Sequence, residues 1–262
     1  MRKRDMSVLV GVVAVVALSC SAPVSTTSRT SGRALVIGTS GDSPPYALRS
    51  GGSLSGIEID LAQELGKILE RPVKLVDLPW DELFGELNEG RVDIVMAGVT
   101  VTPERENRFG FADPYLRASI AALVRREDMK KFASRDAVCA SPIDVGVIGG
   151  TTGEGYVRAR CPAVITRVYR TAKDAVFELR TRRIDAVVHD GPVLAWLLSQ
   201  ESGALELIPT RIADQQLAWM MRRDARQLRD DASAALARMR SDGTLDRILR
   251  RWVPKIERLQ PQ

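Results

Sequence analysis

Residues 78–105 read LPWDELFGELNEGRVDIVMAGVTVTPER, and their order decides the fold. An amphipathic segment, WDELFGELNEG, gives way to the short apolar run VDIVMAG and then to a polar turn around Pro103. This predicts a helix, a buried strand and a loop at the strand's end. Working backwards, ALVIGT and VKLVDL read as strands on either side of GIEIDLAQELGKILE. In that segment Ile57, Leu61, Leu65, Ile68 and Leu69 recur at helical spacing. The resulting βαβαβ order predicts a mostly parallel sheet covered by helices. Working forwards, a second series runs DVGVI, GEGYVRAR, AVITRVY, AKDAVFELRTR, IDAVVH and GPVLAWLLSQ. Its LRTRRIDAVVHD, residues 179–190, repeats the punctuation of LNEGRVDIVMAG, residues 87–98. Two series of this size predict an α/β protein of two lobes. The last part, DARQLRDDASAALARMRSDGTLDRILRRWV, predicts two consecutive helices, capped by Asp224 and broken at Asp242-Gly243.

The first residues, MRKRDMSVLVGVVAVVALSC, place basic side chains before an apolar run over 8–18 and a cysteine. The pattern is that of a secretory signal, and the run is short for a bilayer span. Its Ser19-Cys20 end resembles the lipobox of bacterial lipoproteins, although Ala17 and Leu18 depart from the usual residues there. Residues 1–19 are therefore expected as a leader of lipoprotein type, with Cys20 the lipidated residue. The Ser/Thr-rich stretch over 20–32 is expected to be a flexible tether. Loss of three basic residues and one acid with the leader takes the formal charge from +5 to +3. The arginines are scattered, so no nucleic-acid partner is expected. Cys139 and Cys161 are left as a possible disulfide pair in an oxidising compartment. A single histidine argues against a transition-metal site, and no metal or cofactor is expected.

In this order and spacing, GTSGDSPPY, GIEIDLAQELG, the 78–105 stretch, FGFADPYL, VGVIGGTTGEGY, RRIDAVVHD and RMRSDGTLDRILRRWV resemble the family 3 extracellular solute-binding proteins. These are amino-acid receptors of bacterial uptake transporters, and the resemblance covers about residues 34–254. It implies a two-lobed periplasmic-binding-protein clamshell of type II. Lobe 1 would take residues 33–119 plus 217–262, and lobe 2 residues 120–216. Two crossing strands, near ASIAALV and QQLAWMM, would join them, with the ligand cleft between. The implied protein is a monomeric, membrane-anchored lipoprotein outside the cytoplasm. It would hand an amino acid or related solute to an ABC permease and ATPase complex.

The resemblance also assigns a site. A free amino acid carries a carboxylate and an ammonium on one carbon, so its receptor needs fixed donors and a fixed acid. Arg105 and Thr100 match the arginine and hydroxyl residue that hold the ligand carboxylate in the lysine/arginine/ornithine- and histidine-binding members. The turn from Gly98 would add backbone N–H donors. GGTTGEG, with Thr151 or Thr152 capping the next helix, would grip the same carboxylate from lobe 2. Asp190 would hold the ammonium, or else cap the helix begun by GPVLAW. Trp80 would cover the ligand side chain. Ser40 and Ser43 stand where relatives that bind cationic side chains carry an aspartate and a stacking tyrosine. A neutral or polar ligand is therefore favoured, unless Asp42 reaches inward. TSGDSPPY and PERENRFGFADPYLR also resemble the periplasmic cyclohexadienyl dehydratases. Those enzymes carry a glutamate where this chain has Val193, so a binding protein is expected rather than an enzyme. A sensory solute-binding lobe is the other alternative; because the chain ends at Gln262 without an appended domain, the transporter role is preferred.

Overall fold

The computed structural model describes residues 32–200 and 203–253. The expected leader, the Cys20 anchor and all but the last residue of the tether lie outside them.

The first series forms β1 (Leu35–Thr39), a small antiparallel sheet of β2 (Asp42–Ser43), β3 (Ala47–Ser50) and β4 (Ser53–Ser55), α1 (Ile57–Ile68), β5 (Val73–Asp77), α2 (Trp80–Asn88) and β6 (Ile94–Val95). It continues through α3 (Pro103–Glu106) and β7 (Phe109–Phe111). The chain then enters a second sheet with β8 (Leu116–Arg125), α4 (Arg135–Cys139), β9 (Asp144–Ile148), α5 (Thr152–Arg160), β10 (Ile165–Tyr169), α6 (Ala172–Arg180), β11 (Ala186–Asp190) and α7 (Gly191–Ser199). Next come β12 (Leu205–Leu207) and β13 (Ala213–Leu217). β14 (Met220–Arg222), α8 (Arg226–Ser241) and α9 (Thr244–Trp252) return the chain to the first sheet.

The strand order is β5-β1-β6-β14-β7 in one sheet and β10-β9-β11-β8-β12 in the other, with β13 also paired to β8. β1, β5 and β6 are mutually parallel, as are β9, β10 and β11, which the βαβ reading requires. Each sheet mixes in antiparallel strands: β14 beside β6 and β7, and β8 beside β11, β12 and β13. These strands carry the chain between lobes, so their direction follows from the crossings and not from a βαβ unit.

Helix α1 buries Ile57, Leu61 and Leu65 completely, the face expected from the spacing. Each such side chain contributes about 1.5–3 kcal/mol by leaving water. α8 and α9 pack on α1, so the last two helices cover the first lobe. The break at Asp242-Gly243 is where the sequence places it, with the Asp242 carboxylate accepting from the Thr244 N–H. The cap is different. Ala225 holds the N-cap position of α8, while Asp224 turns to pair with Arg222. Cys139 and Cys161 are joined in a disulfide between the end of α4 and the end of α5.

The chain crosses between lobes twice, at residues 112–115 and 218–219. The two crossings run side by side: the Tyr115 N–H donates to the Leu217 carbonyl and the Ala112 N–H to the Trp219 carbonyl. The second sheet takes strand residues from Leu116 through Leu217. The division expected after residues 119 and 216 therefore falls inside β8 and just before the last residue of β13.

Candidate functional site

Parallel strands β6, β9 and β11 all end toward the space between the lobes, where α/β sheets place their ligand crevices. The loops after them bring Gly98, Thr100 and Arg105 from one side, and Thr151, Thr152 and Asp190 from the other, around one cavity. Ser40, Ser43 and Trp80 complete the first-lobe wall. Every residue expected at the site thus lines the same space.

Arg105 is aimed by its own turn. Thr102 N-caps α3 by accepting from the Arg105 N–H at 3.3 Å, and Pro103 fills the first helical position. The guanidinium donates to the Thr100 carbonyl at 2.8 Å and, across the cleft, to the Gly150 carbonyl at 3.1 Å. It lies 5.5 Å from the centre of the Trp80 ring and 5.3 Å from that of Phe84. Burial lowers its pKa, while Asp190 and Glu104 draw it back up. Two of its five N–H donors are engaged in these bonds, which leaves three for a ligand carboxylate.

Asp190 ends β11 at the N-cap position of α7, but its side chain makes no capping hydrogen bond. Its Oδ1 instead accepts from Gln215 Nε2 at 2.7 Å. The Gln215 oxygen in turn accepts from the Thr100 hydroxyl at 2.8 Å and the Thr152 hydroxyl at 2.9 Å. One amide therefore links Thr100 of the first lobe to Thr152 and Asp190 of the second. Thr151, not Thr152, caps α5; its hydroxyl faces the Glu154 N–H at 3.5 Å and donates to the Ile148 carbonyl.

Gly98 differs from its expected role as an N–H donor to a ligand. Its N–H donates to Glu58 Oε1 at 2.8 Å, away from the cavity. Its φ is +67°, and a Cβ there would stand 2.4 Å from the Tyr46 ring. Gly98 thus shapes the wall by lacking a side chain. Trp80 opens α2, edge-on to Phe84 and close against Gly150. Asp42 lines the cavity too, yet 3.8 Å separates it from an Arg49 nitrogen. His189 is 5 % exposed, with burial lowering its pKa.

Gln215 and Glu58 are the residues that sequence reasoning missed. A signal for Gln215 exists: in β13 it shares the buried parity of Leu217, and a polar residue at a buried strand position needs polar partners. Glu58 sits likewise between Ile57 and Ile59 at the start of α1, fully enclosed at 1 % exposure. Arg170 and Thr171 also line the cavity and were not anticipated. Among the described residues no group of His, Cys, Asp and Glu is arranged to hold a metal, and no helix is long and apolar enough to cross a membrane.

Two α/β lobes joined by paired crossings, with a polar cavity between them, define a two-lobed binding protein. The chain belongs to the bacterial extracellular solute-binding proteins, family 3, whose model matches residues 35–255. The L-cystine-binding protein TcyJ of Escherichia coli (strain K12) is 28 % identical over 219 residues, 83 % of this chain and 82 % of that protein. ABC transporter arginine-binding protein 1 of the same strain is 28 % identical over 83 % of this chain and 90 % of its own. Among solved structures, AncCDT-1, an ancestral amino acid-binding protein described as a precursor of cyclohexadienyl dehydratase, is 31 % identical with a TM-score of 0.78. That match covers 84 % of this chain and 95 % of AncCDT-1. An ancestral arginine-binding protein bound to arginine is 29 % identical, also at 0.78, covering 84 % and 98 %.

Proposed function

We propose that this protein is the substrate-binding lipoprotein of an amino-acid ABC uptake transporter, holding the ligand's carboxylate and ammonium between its lobes. One observation carries the reading: Arg105 and Asp190 face one cavity from opposite lobes, with Thr100, Gln215 and Thr152 bridging between them. A zwitterionic headgroup matches that pair of charges. Its carboxylate would take the remaining donors of Arg105, and its ammonium would lie against Asp190. Beyond the headgroup the wall offers Ser40, Ser43, Trp80 and Arg170, while Asp42 already has Arg49 beside it. A neutral or acceptor-bearing side chain suits this wall better than a cationic one. Amino-acid binding by the relatives named above supports the assignment, and their names also support the permease and ATPase as partners. Anchorage by lipid at Cys20, an extracytoplasmic location and a monomeric state complete the proposal.

The dehydratase alternative finds less support. Val193, where an acid would be needed, is fully buried in α7. The purified chain, screened against the common amino acids, is expected to show at least one thermal stabiliser. Loss of charge-assisted hydrogen bonds worth about 1.5–3 kcal/mol each predicts at least a tenfold weakening for Arg105→Ala or Asp190→Ala. A panel without a hit, or two variants that bind normally, refutes the site. Conversion of prephenate by the purified chain refutes the binding role.

A further inference from the structure

Glu58 is a buried acid outside the cavity, yet it touches what shapes the cavity. Its Oε1 accepts from the Gly98 N–H and from the Tyr115 hydroxyl, each at 2.8 Å, and its Oε2 accepts from the Trp219 indole N–H at 3.0 Å. Gly98 belongs to the cavity wall, Tyr115 to the first crossing between lobes, and Trp219 to the second. The Tyr115 and Trp219 rings stack with centroids 6.3 Å apart. We propose that Glu58 is a positioning residue that ties the ligand-facing turn to both crossings, so that the charge on its carboxylate governs closure of the cleft. This inference rests on the reading of the cavity as the ligand site.

The chemistry sets the direction. A carboxylate is an acceptor only and can receive all three donors, whereas a carboxylic acid must itself donate. Two of the three neighbours are N–H groups and cannot accept. Only the Tyr115 hydroxyl can turn round, and it then ceases to hold the first crossing as a donor does. Protonation therefore loosens the tie and favours an open cleft.

The surroundings make this proton sensitive to a ligand. The ionisable groups acting on the cluster are Tyr46, from the segment before β3, Tyr115, and Asp190 across the cleft, all acidic. Asp60, on α1 itself, is occupied by Trp252 and Arg251, and Arg105 interacts with Asp190 and Glu104. Burial pushes the Glu58 carboxyl up to about 7, so its charge is poised near neutrality. A ligand ammonium beside Asp190 brings a positive charge toward this acidic cluster and favours the carboxylate. By reciprocity, ionised Glu58 favours the ligand, and binding releases a proton.

The test compares the full chain with Glu58→Gln, Glu58→Asp and His189→Asn, the last because His189 is a second buried group whose pKa burial shifts, in its case downward. Without any ligand, the Gly98 amide proton shift and small-angle scattering are followed from pH 5.5 to 8.5. In the unsubstituted chain both should change together near pH 7, toward a more open particle at low pH. Glu58→Gln should show neither change, Glu58→Asp should partly restore them, and His189→Asn should keep them. With L-glutamine as probe, affinity should fall severalfold from pH 8 to pH 6 in the unsubstituted chain and stay flat in Glu58→Gln. A scattering profile that is independent of pH, or that depends on pH equally in Glu58→Gln, overturns the proposal. Failure of every amino acid to bind counts instead against the proposed function, since the two ligand-free measurements still decide the role of Glu58.

Discussion

Two glycines with the same backbone requirement and opposite surroundings offer a controlled test of how the cavity wall is built. Gly51 has φ +54° with nothing within 4 Å of a notional Cβ; Gly98 has φ +67° with the Tyr46 ring at 2.4–2.9 Å. Alanine at either site incurs the left-handed penalty, about 1–2 kcal/mol. Reduced freedom of the unfolded chain offsets some 0.4–1 kcal/mol of that in both. Gly51→Ala should therefore destabilise by roughly 0–1.6 kcal/mol. Gly98→Ala adds an overpacking term of about 1–3 kcal/mol, because Tyr46 is 1 % exposed and has no room to retreat. For a chain of this size that difference corresponds to a further fall of roughly 2–12 °C in Tm. Urea unfolding and calorimetry on the two variants, side by side, measure it. Equal destabilisation of the two would show that Tyr46 yields, and the account of a rigid wall at Gly98 would be wrong.

Other outcomes follow from the same contacts. Folded Glu58 has a pKa of about 7 against an ordinary 4.5, raised by burial, so between those values the folded chain keeps a proton that the unfolded chain has lost. Stability from this group is complete below pH 4.5 and is lost as pH rises through 7, by about 3 kcal/mol in all. His189, lowered by burial, acts in the opposite sense below its ordinary 6.5. The difference in urea stability between the unsubstituted chain and Glu58→Gln therefore isolates the effect, and a flat difference from pH 4.5 to 8 contradicts it. Gln215→Leu leaves two hydroxyls and the Asp190 carboxylate short of a partner. At about 1–3 kcal/mol for each such group, denaturant titration should show a loss of several kcal/mol. Reducing the Cys139–Cys161 bond, which spans 22 residues, should lower stability by about 3 kcal/mol with ligand affinity intact, as calorimetry and binding with and without reductant will show.

Local pattern carried the sequence reading a long way, and its reach has a physical boundary. Thr102, Pro103 and Arg105 lie within one turn, so a cap and an aimed guanidinium are legible from adjacent residues. The same holds for the apolar face of α1, while for the cap of α5 adjacent residues narrowed the choice only to Thr151 or Thr152. The Asp224 cap failed because Asp is equally suited to pairing with a neighbouring arginine, and Arg222 is only two residues away. Gln215 and Glu58 were missed for another reason: their partners are distant in the chain. Thr100 and Gln215 are 115 positions apart, and Glu58 and Trp219 are 161. No periodicity within one element announces such a bond; only the two crossings bring these groups together.

That distance explains how the two missed residues divide the work between them. Gln215 commits its amide to Thr100, Thr152 and Asp190 of the cavity wall, engaging hydroxyls and an acid that would otherwise compete for the same ligand atoms. Glu58 works from behind the wall and touches only structure. The fold as a whole prefers Glu58 neutral, since burial outweighs its three hydrogen bonds, whereas those three donors prefer it charged. Stability and closure therefore pull its proton in opposite directions across neutral pH. Glu58→Gln should consequently gain in stability relative to the unsubstituted chain as pH rises from 4.5 to 8, while abolishing the pH response of the cleft. A change in stability with the pH response of the cleft intact in that variant would mean that Glu58 is only a structural acid.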